Sequence, residues 1–214
     1  MLPWLLGLLC AAPAVCAPRE PVKPAAKSQV KAAATKTKKG AAPHTRGRRV
    51  ALRAAGLVGS SLAPYRVPDD CSGLVRLAYQ SVGVELLSSG MRPGENAASA
   101  MYRRARRTGA LHRRTPQPGD IVFFRETYDR NRDGRRNDGL THVGVIESVA
   151  RDGTVVFVHR GGAGVVRARM NLRRPARQAP GGQILNDYIR RAEDGERARL
   201  TSELFAGYAS ANRL

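Results

Sequence analysis

The sequence predicts an α+β domain in which N-terminal helices pack on a small antiparallel sheet. Three features of the 214-residue chain lead there. Apolar residues recur at helical spacing through its first ordered half. After Pro118 they gather instead into short Val-, Ile- and Phe-rich runs separated by turn-formers. Helices followed by hairpin-linked strands, with no internal repeat, define the α+β class.

The ordered domain is expected over residues 50–214, opening with a helix in "RRVALRAAGLVGSSL", where Val50, Leu52, Ala54 and Leu57 form a partial apolar stripe. "PYRVPDD" breaks it. Asp69 or Asp70 can cap the next helix, "CSGLVRLAYQSVG", whose buried face is Leu74, Val75, Leu77 and Ala78. A third helix fits "ENAASAMYRRARRTG", with His112 in the loop beyond it. The strands are "IVFF", "HVGVIESV", "TVVFVHR" and "GVVRARMNL", and "RDGT" between the second and third is a hairpin turn. "QILNDYIRR" reads as a further strand and "LTSELFAGYASANRL" as a closing helix.

Ahead of the domain, residues 1–17 read as a secretory signal peptide: the apolar run is too short to span a bilayer and ends with Val15 and Ala17 at the small-residue positions. Residues 18–49 form a Pro-, Ala-, Lys- and Thr-rich linker without an aromatic residue, which lacks the apolar surface to offset its ordering entropy. Net charge is +20, of which the linker holds ten Lys or Arg against one Glu. Such a field favours anionic polymers, and for an exported chain, secreted or periplasmic, these are the polymers of the bacterial cell envelope. With no aromatic residue in the tail to stack on bases, specific nucleic-acid binding is not expected. The protein is expected to act as a monomer.

Loss of the signal segment removes Cys10 and Cys16 and leaves Cys71 as the sole thiol, so an intrachain disulfide is excluded. A cysteine in the first turn of a helix sits among free N–H groups that favour a thiolate, provided that Asp70 turns away to cap the helix. His142 and His159 lie on the two arms of one hairpin and can stand side by side at one end of the sheet. Cys71 as nucleophile, one histidine as base and the other as its orienter is one arrangement. An inert core cysteine and a three-ligand zinc site are the others, the latter without support from any local CxxC or HxxxH spacing.

Four blocks in order, "DCSGLV" (70–75), "PGDIVFF" (118–124), "HVGVIE" (142–147) and "FVHRGGAGVVRARMN" (157–171), resemble the signatures of the NlpC / p-sixty family of papain-like cell-wall cysteine peptidases. The CHAP amidases and endopeptidases are close relatives that share the cysteine–histidine pair. The resemblance implies a papain-like fold and assigns Cys71 as nucleophile, His142 as base and His159 as the orienting residue. It places Asp70, Ser72 and Gly73 beside the substrate, which it implies to be peptidoglycan, cleaved at stem-peptide amides of the D-glutamyl-diaminopimelate type. The family's tyrosine block before the cysteine has no counterpart here, and Tyr65 receives no role.

Before His142 the chain carries Asp129, Asn131, Asp133 and Gly134 in a D-x-N-x-D-G order, the oxygen pattern of a calcium loop, but with Leu140 at the twelfth position where a bidentate Glu belongs. The chemistry requires no cofactor; a structural calcium ion is the one the pattern admits. The alternative functions are a non-catalytic envelope-binding module of the same fold and a CHAP-type amidase.

Overall fold

The computed structural model describes residues 45–192 and 195–214. The expected signal peptide, Cys10, Cys16 and the linker up to residue 44 lie outside the described residues. The remainder of the expected linker does not stay outside the fold: Thr45 caps a helix, accepting from the Arg48 N–H, and α1 runs Arg46–Ala55. It therefore starts earlier than the sequence suggested and stops at Gly56. Leu57 and Leu62 nevertheless reach the core from the turns that follow.

Two more helices, α2 (Cys71–Gln80) and α3 (Ala97–Arg107), lie where the sequence placed them. His112 is not in a loop but in a two-residue strand, β1 (Leu111–His112). Four strands then run as a meander: β2 (Ile121–Arg125), β3 (Leu140–Val149), β4 (Val155–Gly161) and β5 (Gly164–Met170). The turn at "RDG" joins β3 to β4 as expected, with Gly153 at φ +86. The segment 183–191 contributes only β6 (Tyr188–Arg190), which pairs with β7 (Arg199–Leu200) in a separate two-stranded ribbon.

The C-terminal segment corrects the sequence reading. Thr201–Leu204 is a single α-helical turn (α4), Phe205–Ala209 forms strand β8, and Ala211–Arg213 closes the segment as a 3-10 turn. Phe205, Gly207 and Tyr208 suit a pleated strand better than a helix, in which glycine is costly and aromatics lose rotamer freedom. β8 inserts beside β2, giving the antiparallel order β1-β8-β2-β3-β4-β5.

Both faces of this sheet are covered, which is why β2 reads as a continuous apolar run rather than an alternation. Val50, Leu74, Val75, Met101, Phe123, Val143 and Val145 fill the helical side. Val122, Phe124, Ile146, Phe157, Met170 and Tyr208 fill the other, beneath Leu204 of α4. The buried Asp120 fastens the β1–β2 connection to the C-terminal segment: its carboxylate accepts from the Gln117 and Ala211 N–H groups at 2.8 and 2.9 Å and lies 3.2 Å from His112 Nε2. Each oxygen of this carboxylate, only 2% exposed, is thereby partnered.

Candidate active site

Helix α2 begins at Cys71 because three local features agree. Asp70 is extended, and its Oδ1 accepts from the Ser72 and Gly73 N–H groups at 2.8 and 2.9 Å and from the Ser72 hydroxyl at 2.7 Å. Pro68 turns the chain into the helix so closely that a Cβ at Gly73 would lie 1.9 Å from the Pro68 carbonyl oxygen. Only glycine fits there.

Cys71 thus stands at the head of a buried helix and opens onto a cleft of about 580 Å³. The lining of the cleft includes Asp69, Asp70, Cys71, Thr127, Tyr128, Thr141, His142, His159 to Ala163, Arg167 and Tyr188 to Arg191. All three expected catalytic residues share it. Of the three residues expected beside the substrate, Asp70 lines the cleft; Ser72 and Gly73 are buried and engaged in the helix cap.

His142 and His159 meet through a hydrogen bond of 2.9 Å between His142 Nε2 and His159 Nδ1, with rings nearly perpendicular. The strand register brings this about. Val145 faces Val158, so one step along Gly144 lies against His159 and His142 stands diagonally across. A Cβ at Gly144 would come within 2.8 Å of Phe157 Cδ2 and 2.9 Å of the Val158 carbonyl oxygen, so the glycine of "HVG" leaves the space in which the two strands and rings approach. The imidazoles rest on an aromatic floor of Phe124 and Phe157.

The electrostatics run against a preformed ion pair. Burial pushes the Cys71 thiol up to about 11, with Asp70 adding to the rise, while the N–H groups of Val143, Cys71 and Ser72 pull the other way. This reverses the expectation that the helix start would favour a thiolate: Asp70 occupies two of the free N–H groups and adds its own charge. Burial holds His142 down at about 3, helped by His159, and holds His159 down at about 4, opposed by Asp187. At neutral pH the resting site is a thiol beside two neutral imidazoles.

Residues that sequence reasoning missed complete the cleft. Tyr128 stands on the lip, its hydroxyl raised by partial burial and by the Cys71 sulfur. It is anchored through Thr127, whose N–H and hydroxyl both bond the Thr141 hydroxyl next to His142, at 2.9 and 2.8 Å. Arg160 reaches back to Asp69 in a bidentate pair, at 3.1 and 2.8 Å, tying the end of β4 to the start of the Cys71 helix. No spacing rule links these positions to Cys71.

The D-x-N-x-D-G loop is closed by its own side chains. Asp129 accepts from the Arg132 and Gly134 N–H groups, both at 2.7 Å; Asn131 accepts from Asp133 N–H; and Asp133 accepts from Arg135 N–H and from the Asn131 and Asn137 amides. Among the described residues no group of three or more His, Cys, Asp or Glu side chains is placed to hold a metal ion, so Cys71, His142 and His159 do not form a zinc site.

Comparison with known families bears on this constellation. Residues 63–161 match the CHAP domain. The match takes in just under half of the chain, and α2, β2, β3 and β4 with Cys71, His142 and His159 all fall inside the CHAP segment. This is the relative named beside the NlpC / p-sixty resemblance, and the α+β arrangement agrees with it. Neither the curated proteins nor the solved structures give a match.

Proposed function

We propose that this chain is an exported peptidoglycan hydrolase that cleaves stem-peptide amides of the D-glutamyl-diaminopimelate type, with Cys71 as nucleophile, His142 as base and His159 as its orienting partner. The His142–His159 hydrogen bond, facing the same cleft as the cysteine, is the observation that supports this most directly. The CHAP match supports the coarser reading, amidase or peptidase action on peptidoglycan.

The tautomer that serves the reaction has the hydrogen on His142 Nε2, donated to His159 Nδ1, leaving Nδ1 of His142 as the lone pair for the thiol proton. With thiol and imidazole both neutral at rest, that proton moves as the sulfur attacks the amide carbon. The oxyanion then lies near the Cys71 backbone N–H, which is not among the donors that Asp70 takes. The imidazolium returns its proton to the departing amine, leaving a thioester. Water, deprotonated by His142, hydrolyses the thioester and restores the thiol.

The basic linker would hold the enzyme at anionic envelope polymers, in the secreted or periplasmic space to which the signal segment would direct it. Purified sacculi treated with the protein and with its Cys71→Ala variant test the proposal. New amino termini and released muropeptides are expected from the first alone, and undiminished release by the variant overturns it. Sedimentation with sacculi without release would instead support a binding module. Product masses separate a stem-peptide endopeptidase from an amidase, which the same constellation serves equally well.

A further inference from the structure

The cleft that Cys71 opens onto is lined by four arginines, and they are not equivalent. Arg160 is paired with Asp69 and Arg167 with Glu147. Arg190 and Arg191, at the end of β6, line the same cleft and have no ion-pair partner among the described residues. Arg190 is the unusual one. It is only 8% exposed, its NH1 donates to the Glu126 carbonyl oxygen at 3.0 Å, and its Nε is buried with no partner among the described residues. A buried guanidinium with an unused donor carries a desolvation cost that an acceptor bound in the cleft relieves. Arg191 stands beside it, its NH2 lying 3.0 Å from where a Cβ on Gly162 would sit, over the turn that follows His159. Both residues lie outside the stretch that matches the CHAP domain.

We propose that Arg190 and Arg191 form a carboxylate subsite, which takes a free carboxylate on the residue next to the scissile amide. Planar guanidinium groups are the side chains best matched to a carboxylate, and two of them that pair with no acid among the described residues discriminate it from a neutral carboxamide of the same shape. The inference deepens the hydrolase reading and rests on it for the identity of the substrate. The subsite itself is read independently of turnover.

The test uses two γ-D-glutamyl peptides that differ only in carrying an α-carboxylate or an α-carboxamide. Binding of each to the full-length Cys71→Ala variant is measured by calorimetry, and cleavage of each by the active protein is followed in parallel. The carboxylate peptide is expected to bind about 10- to 100-fold more tightly, the range for a charge-assisted hydrogen bond. Arg191→Gln, a change at an exposed position, is expected to reduce that preference several-fold, and adding Arg190→Gln to bring it close to one. Equal binding of the two peptides, no binding of either, or a preference untouched by Arg191→Gln overturns the subsite. A binding preference that depends on these arginines, in a protein that cleaves neither peptide, upholds the subsite and refutes the hydrolase reading. Should Arg190→Gln fail to fold, Arg191→Gln alone decides.

Discussion

The two buried imidazoles make folding itself report on the site through its response to acid. Burial lowers His142 from 6.5 to about 3 and His159 from 6.5 to about 4, so both bind a proton less readily in the folded than in the unfolded chain. Their contribution to stability is therefore complete above pH 6.5 and is lost as pH falls through 4 towards 3. Each histidine kept neutral costs about 1.4 kcal/mol per pH unit below 6.5, or roughly 3 kcal/mol by pH 4.5. The depressed carboxylates Glu95 and Glu203 act lower down, since their stabilisation is present above 4.5 and fades only as pH approaches 2. The window from pH 6.5 to 4.5 thus isolates the histidines. Replacing His159 by Gln removes one of the two titrations and keeps an amide beside His142 Nε2. Urea unfolding followed by circular dichroism across this window is expected to show the stability of His159→Gln falling less steeply than wild type, by about 1.4 kcal/mol per pH unit. Parallel pH profiles for the two proteins would refute the buried, neutral pair.

Two further outcomes follow from the same chemistry. Alkylation by iodoacetamide, read by mass spectrometry at the peptide carrying Cys71, is expected to be slow at neutral pH and to climb towards a limit near pH 11, whereas a plateau across neutral pH would reveal a standing thiolate–imidazolium pair and overturn the neutral resting state. Removing divalent ions with EDTA is expected to leave turnover unchanged, and millimolar calcium to leave the unfolding midpoint unchanged, because the 129–137 loop is closed by its own hydrogen bonds and lacks a bidentate carboxylate at Leu140. A clear rise in the midpoint on adding calcium would place the ion on Asp129, Asn131 and Asp133.

What the sequence revealed of this protein, and what it hid, divides by the range of the interactions concerned. The cap at Asp70, the start of α2 at Cys71 and the β3–β4 hairpin are local, each written within a few residues, and all three stand where the sequence put them. The meeting of His142 with His159 was legible for the same reason, since a single turn sets the register of both strands. The C-terminal strand was not, because Phe205–Ala209 becomes a strand only by inserting beside β2, more than seventy residues away in the chain. Arg190 was invisible as a cleft residue for a related reason: its place in the cleft beside Cys71 comes from the β6–β7 ribbon, and no spacing in the sequence encodes where that ribbon lies. The sign of the Cys71 shift shows how a sound local argument is overturned by packing. A helix start does favour a thiolate, but here the carboxylate that creates the helix start also takes up its Ser72 and Gly73 N–H groups, and the surrounding strand and loop remove water from the sulfur. The field that a sequence assigns to a bare helix terminus is thus largely spent on the cap. In the proposed mechanism the cysteine depends on His142 at the moment of attack, and this is why the histidine pair, more than the helix, is the feature on which that chemistry turns.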